Sequence, residues 1–236
     1  MIDKNPVHGI RKPADRVKDR RLTEDEYRLL GKILKERNGD EQFRTTTQII
    51  RFIALTGCRR GEAIHLTWGE VDQYNSCIRL IDSKEGKSMR AVGLPVLDLL
   101  DLVSSDRNGE FVFEGTVDGK PLVGFPKLWK KLLKGTALTD ITPHVLRHSF
   151  SSIANDLGFT EATIRALIGH SGESVTSRYI HTVDTLLVMA ADTVAGFISG
   201  LLDGKTFRQT SYALDRASRE ATLARLFEQS VVTRRH

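Results

Sequence analysis

The chain has little cysteine and no long uncharged apolar run, and these absences exclude several classes of protein. Two cysteines, Cys58 and Cys77, in 236 residues argue against a disulfide framework and favour a reducing cytoplasm. No hydrophobic segment of the secretory type follows Met1. The longest apolar stretch, residues 186–202, is shorter than the ~20 residues of a membrane span and contains Asp192, so it predicts a buried helix and no membrane partner.

Most of the chain also lacks an excess of positive charge, although the formal net charge of the whole chain is +5. Residues 1–21 and residues 205–236 each contain seven Lys or Arg against three Asp or Glu, a net of +4 in each segment. The remaining 21 basic and 24 acidic residues give the centre a net of −3. A general basic surface therefore says little about a nucleic-acid partner, and that question depends on specific residues.

The hydrophobic pattern predicts a mainly helical fold with a small antiparallel β-sheet, an α+β class. Residues 1–21 are basic, contain two prolines and show no hydrophobic period, which is typical of an interdomain linker or arm. Alternating polar and apolar residues predict a β-hairpin from residues 77–82 and 89–94, with a third short strand at residues 110–114. Apolar residues at helical spacing predict helices at 24–36, 43–57, 61–68, 122–134, 142–158, 160–170, 186–202 and within 205–236.

Four polar clusters contain the residues that could perform chemistry: "TGCRRGE" (56–62), "SKEGKSMR" (83–90), "HVLRH" (144–148) and "LIGHSGESVTSRYIHT" (167–182). Taken singly, each is compatible with ordinary surface residues. His144 and His148 have the spacing of a zinc pair, but the intervening Glu of that motif and further ligands are missing, so we expect no metal. We expect no bound cofactor either.

Taken together, the clusters match the needs of phosphodiester chemistry. His144 and Arg147 are three residues apart on a predicted helix and therefore share a face. With Arg59 and His170, they would supply donors to the non-bridging oxygens of a phosphodiester, where charge accumulates in the transition state. Arginine would neutralise that charge in place of a metal ion.

The remaining requirements are a nucleophile and an acid for the leaving group. Tyr179 has a hydroxyl with an ordinary pKa of about 10, which a positive field and a base, His144 or His170, would activate. Lys84, in the predicted hairpin, could protonate the departing 5′ oxygen, and Lys87 is a nearby competitor. A phosphotyrosine ester conserves the bond energy, so the strand can be resealed without ATP.

In these residues the chain resembles the catalytic domain of the tyrosine recombinases, the phage integrase family. The family pattern is an Arg in T-G-x-R-x-x-E, a Lys in a β-hairpin, H-x-x-R, and L-G-H followed nine residues later by Tyr. The matching residues here, in family order, are Arg59, Lys84, His144, Arg147, His170 and Tyr179. The resemblance implies a site-specific recombinase that forms a covalent 3′-phosphotyrosine link, in integration or excision of a mobile element.

The resemblance also implies partners and a domain plan. Its implied partners are double-stranded DNA, a homo-tetramer that exchanges strands through a Holliday junction, and accessory DNA-bending or directionality proteins. The domain plan is a basic linker or arm at 1–21, a catalytic domain at 22–183, and a C-terminal helical segment at 184–236 for docking between protomers. The sequence shows no counterpart of the family's N-terminal core-binding domain, which suggests either a truncated catalytic fragment or a naturally short protein that binds DNA weakly. For a truncated fragment we expect binding that falls steeply with salt.

Two alternative functions stay open from the sequence. A type IB topoisomerase shares the constellation but nicks and reseals one strand, while a non-catalytic DNA-binding protein could use the same scaffold. The spacing of His170 and Tyr179 is more similar to the integrase branch. The hairpin has one residue more than the family usually has between Lys84 and Arg90, which leaves Lys84 and Lys87 as alternatives.

Overall fold

The structure, a computed structural model, describes residues 20–80, 88–105, 109–117, 119–169 and 184–206. Within these ranges the chain forms eight α-helices and three β-strands, which confirms the mainly helical α+β class. A single 3₁₀ turn, Trp68–Glu70, precedes the sheet. The elements in chain order are α1 (Glu24–Arg37), α2 (Glu41–Thr56), α3 (Arg60–Ile64), β1 (Val71–Asp72), β2 (Cys77–Leu80), β3 (Ser88–Ala91), α4 (Leu94–Ser104), α5 (Phe125–Leu133), α6 (Pro143–Asp156), α7 (Glu161–Ile168) and α8 (Thr185–Leu202).

Local sequence signals fix where several helices begin and end. A capping box begins α1: the Thr23 hydroxyl accepts from the Glu26 N–H, and the Glu26 carboxylate accepts from the Thr23 N–H. Gly57 ends α2 with a left-handed φ of +64°. A Cβ on Gly57 would lie 2.9 Å from the Phe150 ring, so this turn lies directly against α6.

The sheet contains the predicted hairpin but a different third strand. Strands β2 and β3 pair antiparallel, with Ile78 opposite Arg90 and Leu80 opposite Ser88. The third strand is β1, which pairs with β2, so the prediction of a strand at 110–114 was wrong. In that segment Phe111 and Glu114 bridge to two different partners, Thr67 and Pro121, and isolated bridges do not build a ladder.

Helix α4 was not predicted, because the alternation of polar and apolar residues in 89–94 favours a continuous strand. The strand ends at Ala91, and Pro95, whose fixed φ suits a first helical turn, helps to start α4. The backbone N–H of Leu94 is satisfied by the carboxylate of Asp192 on α8, at 2.7 Å. The acidic residue inside the apolar run therefore serves as a partner for the start of α4.

Helix α8 lies in the core, as predicted for a buried helix. Its length and hydropathy alone would allow a membrane span, but half of it is buried, and it packs against α1, α2, α4 and α7. The contact with α1 is so close that a Cβ on Gly31 would lie 1.8 Å from the Leu202 carbonyl oxygen. The first part of the predicted segment 184–236 thus packs within the same core as the helices before it.

The last two residues of the predicted arm already contact the folded domain. Arg20 binds Glu26 on α1 and Asp140, which lies just before α6. Arg21 pairs with Asp156 at the end of α6. Residues 1–19 lie outside the described part of the chain.

Candidate active site

Arg59 is held at the start of α3 by a carboxylate on the same turn. Its backbone N–H donates to Glu62 Oε2 at 2.7 Å, and its Nη1 donates to Glu62 Oε1 at 3.0 Å. The Arg59 side chain is 24% exposed, while that of Glu62 is 6% exposed. One end of the interaction is therefore anchored in the protein, and the guanidinium retains access to solvent.

Arg147 projects from α6 into the same region and is almost completely buried, with 7% exposure. Its Nη1 donates to the carbonyl oxygen of Gly57 at 2.6 Å, two residues before Arg59 in the chain. Its Nη2 is buried and has no hydrogen-bond partner in the described part of the chain. Burial, followed by repulsion from Arg59 and Arg90, lowers the pKa of Arg147 to about 10. The fold thus holds a cation whose charge is only partly compensated.

A third arginine, Arg90 on β3, completes the charge arrangement. It is 2% exposed, and its Nη2 donates to Glu62 Oε1 at 2.7 Å. Burial raises the pKa of the Glu62 carboxyl, but Arg90 and Arg59, which both donate to it, outweigh this effect and hold the pKa below its ordinary value. The carboxylate therefore stays ionised and is shared between two arginines.

His144 lies on the first turn of α6 and is exposed. Its ring meets that of His148 edge to face, with the ring centroids 5.2 Å apart. His144 and Arg147 both lie on α6, as the predicted helix requires. Among the described residues, no group of three or more His, Cys, Asp or Glu side chains could hold a metal ion.

Three of the six predicted site residues, and the alternative lysine, lie outside the described part of the chain. They are Lys84, His170, Tyr179 and Lys87. The described residues next to them lie near the arginines: Ser88 begins the strand that contains Arg90, and Gly169, which precedes His170, lies against the Arg90 guanidinium. The structure therefore brings Arg59 and Arg147 together and places the chain before His170 close by.

This arrangement can bind an oxyanion. Arg147 Nη2 is a buried donor without an acceptor, and leaving such a donor unpaired costs about 1–3 kcal/mol or more for a charged group. A phosphate oxygen would satisfy it with a charge-assisted hydrogen bond, and Arg59 lies close enough to repel Arg147. Two arginine forks around one phosphate would stabilise the added charge of a five-coordinate transition state.

Sequence reasoning missed Arg90 as part of this site. Glu62 was visible as the acidic member of "TGCRRGE", but nothing in that motif identifies its second partner 28 residues later in the chain. A single signal was present: an arginine inside a short strand of otherwise small or apolar residues, where a buried charge needs a partner.

Comparison with known proteins identifies the family of the chain. The sequence profile described as "Phage integrase family" matches residues 20–185. A shufflon-specific DNA recombinase of Escherichia coli is 31% identical over 193 residues, which are 80% of this chain and 47% of the relative. The structure of the XerH site-specific recombinase bound to its difH substrate is 21% identical, with a TM-score of 0.52, over 67% of this chain and 48% of that one.

A second solved structure shares the fold. A λ integrase tetramer bound to a Holliday junction is 17% identical, with a TM-score of 0.50, over 70% of this chain and 49% of that one. The chain thus spans about half the length of these proteins. With a family profile that covers most of its length and a catalytic-domain fold that matches, the chain belongs to the phage integrase family of tyrosine recombinases.

Proposed function

We propose that this chain is the catalytic part of a site-specific DNA recombinase that cleaves and rejoins DNA through a 3′-phosphotyrosine intermediate, in integration or excision of a mobile element. The observation that supports this most strongly is the buried Arg147 guanidinium: its Nη2 has no hydrogen-bond partner among the described residues, and burial and the charge of Arg59 lower its pKa. A buried guanidinium with an unused donor destabilises the fold, and a DNA phosphate that accepts from this donor would explain why the protein keeps it.

In the proposed reaction, Tyr179 Oη attacks the phosphorus and gives its proton to His144 or His170. The P–O5′ bond breaks, and the 5′ oxygen takes a proton from Lys84. Arg59, Arg147 and His170 stabilise the non-bridging oxygens throughout. Rejoining is the reverse: a 5′ hydroxyl attacks the phosphotyrosine, so neither ATP nor a metal ion enters the balance.

Covalent capture tests this reaction without knowledge of the target sequence. Nicked duplexes with a randomised centre lose a short fragment after cleavage, so the DNA stays attached to the protein and can be sequenced. We expect a protease-sensitive adduct with the wild type and none with Tyr179→Phe. Tyr74→Phe, which changes a tyrosine that is 65% exposed, is the matched control and should keep the adduct. An undiminished adduct in Tyr179→Phe would remove the Tyr179 assignment.

Plasmid assays separate recombination from the topoisomerase alternative. Two copies of the captured sequence on one plasmid should recombine to give deletion or inversion products. Relaxation of supercoils without any rearranged product would favour nicking and resealing of one strand. DNA binding without an adduct would favour the non-catalytic alternative.

The two candidate lysines are distinguished by a substrate with a 5′-bridging phosphorothioate. A thiolate leaves without a proton, so this substrate restores cleavage to a variant that lacks only the acid. We expect rescue of Lys84→Ala but not of Arg59→Ala. Rescue of Lys87→Ala, together with no defect in Lys84→Ala, would transfer the role to Lys87.

The proposed assembly is a homo-tetramer on two DNA duplexes, as in the λ integrase structure, aided by accessory DNA-bending or directionality proteins in the cytoplasm or nucleoid. Because α8 packs within its own domain, the proposed docking between protomers would fall to the segment after Gly204. Light scattering of the protein with captured DNA should give four protomers, and a chain ending at Thr206 should not assemble beyond single bound protomers.

A further inference from the structure

Arg90 occupies a position where three chain segments meet. It lies on β3 opposite Ile78, and its side chain is 2% exposed. Nη2 donates to Glu62 at 2.7 Å, and Nη1 donates to the sulfur of Cys58 at 3.3 Å. Its Nε is buried without a hydrogen-bond partner. A charge this deeply buried interacts with two residues of the segment that contains Arg59.

The other side of the Arg90 guanidinium faces the end of α7. A Cβ on Gly169 would lie 2.6 Å from Nε, 2.7 Å from Nη2 and 2.8 Å from Cζ of Arg90. Gly169 also has a φ of +72°, which glycine adopts at little cost. The backbone that precedes His170 is therefore in direct contact with the guanidinium plane, and only a residue without a side chain fits between them.

Glu62 links Arg90 to Arg59 because it binds both side chains. Its Oε1 accepts from both arginines, at 2.7 Å from Arg90 and 3.0 Å from Arg59. Its Oε2 accepts from the Arg59 backbone N–H. Without Arg90, the buried carboxylate would keep one side-chain partner and would shift towards Arg59, and that shift would displace the Arg59 guanidinium.

We infer that Arg90 is a positioning residue for the transesterification: its guanidinium fixes, at one point, the Arg59 turn, the strand that begins at Ser88, and the turn that ends at Gly169. Arg90 does not touch the DNA phosphate in this role, because Glu62, Cys58 and Gly169 enclose it. The inference rests on the proposed function, because the first segment contains Arg59 and the third precedes His170, and both residues are proposed phosphate ligands.

A purely structural role would leave a different signature, and two variants separate the possibilities. Arg90→Lys keeps the charge beside Glu62 but lacks the planar fork that reaches Cys58 and supports Gly169. In Arg90→Met/Glu62→Gln the charge of the buried carboxylate is removed together with that of the arginine, so a defect caused only by an imbalance of buried charge should disappear. Arg79→Lys is the matched control, because Arg79 lies on β2, pairs with Asp72 and is 44% exposed.

The readout is the single-turnover rate of adduct formation on captured nicked DNA, with protein in excess, beside DNA affinity and thermal unfolding. We expect Arg90→Lys to fold and bind DNA as the wild type does, with a rate lower by about 10- to 100-fold, as small misplacement of catalytic groups produces. The double variant should regain thermal stability but not rate, and Arg79→Lys should leave the rate unchanged. A wild-type rate in either Arg90 variant would overturn the inference.

Anion binding tests the inference independently of catalysis. Sulfate at increasing concentration should raise the unfolding temperature of the wild type through the Arg59 and Arg147 pair, and it should do so at several-fold higher concentration in Arg90→Lys. If the wild type forms no adduct but this sulfate difference persists, the proposed function fails and the positioning role stands. Equal sulfate responses, with an active wild type, would overturn the positioning role alone.

Discussion

Replacement of Arg147 by Met is expected to remove DNA cleavage without destabilising the fold. Burial and the neighbouring arginines lower the pKa of Arg147 from its ordinary value to about 10. At 1.36 kcal/mol per pKa unit, keeping the charge there costs the folded state about 3 kcal/mol. Met is an apolar side chain of similar length, so the substitution relieves this cost.

The substitution also removes the hydrogen bond to the Gly57 carbonyl. Hydrogen bonds to charged groups contribute about 1.5–3 kcal/mol, so the two effects nearly cancel. The free energy of unfolding of Arg147→Met should lie between the wild-type value and about 2 kcal/mol above it. Arg90→Met is the comparison, because it removes one of the two arginines that pair with the buried Glu62, and it should lose about 3–5 kcal/mol.

Urea unfolding followed by the fluorescence of the buried Trp129 measures both variants. Equal slopes with urea concentration are required for the comparison. In parallel, adduct formation by Arg147→Met should fall at least about 100-fold, the usual cost of losing a donor to a developing oxyanion. If Arg147→Met loses more than about 2 kcal/mol, its guanidinium is satisfied within the fold and the argument for an anion site fails.

Two further predictions concern stability. Hydrogen bonds from Arg20 lower the pKa of Glu26 to about 2, so Glu26 stabilises the fold fully above its ordinary pKa of 4.5 and loses this contribution as the pH falls towards 2. After solvent screening we expect this contribution to be about 1–2 kcal/mol, more than half of it lost by pH 3. Urea unfolding should therefore show a larger loss of unfolding free energy between pH 7 and pH 3 in the wild type than in Glu26→Gln. Equal losses would contradict the assignment of the stabilisation to Glu26. Gly31→Ala should destabilise by about 1–3 kcal/mol because its Cβ meets the Leu202 carbonyl. Gly196→Ala, whose added Cβ would meet open space on α8, should stabilise the fold by about 0.5–1 kcal/mol. Thermal unfolding measures both glycine variants, and a shift of the same sign in the two would contradict the close contact between Gly31 and Leu202.

Much of the fold followed from local signals in the sequence. The capping box of Thr23 and Glu26, the glycine stop at Gly57 and the helical period of α6 depend on residues within a few positions of each other. Local hydrogen bonds and sterics decide such features, so the pattern alone predicts them. Arg59 and Arg147 were predicted as phosphate ligands from their residue type and motifs, and the structure places them within electrostatic reach of each other.

Features that depend on a distant partner were not predictable. Alternation along β3 favours Met89 inside and Arg90 outside, yet Met89 is 36% exposed and Arg90 is 2% exposed. The order is reversed because Glu62, from α3, supplies a buried carboxylate that accepts from the arginine. Asp192 is similar: its charge interrupts an apolar helix, and its partner at Leu94 comes from α4, an element that the pattern did not reveal.

The central claim, that Tyr179 forms the covalent link to DNA, has one direct test. Captured adduct is digested with nuclease and trypsin, and mass spectrometry locates the residual nucleotide on the peptides. We predict a nucleotide joined through its 3′ phosphate to the peptide that contains Tyr179, and to no other. A nucleotide on a different tyrosine or on a serine, or one joined through its 5′ phosphate, would contradict the account.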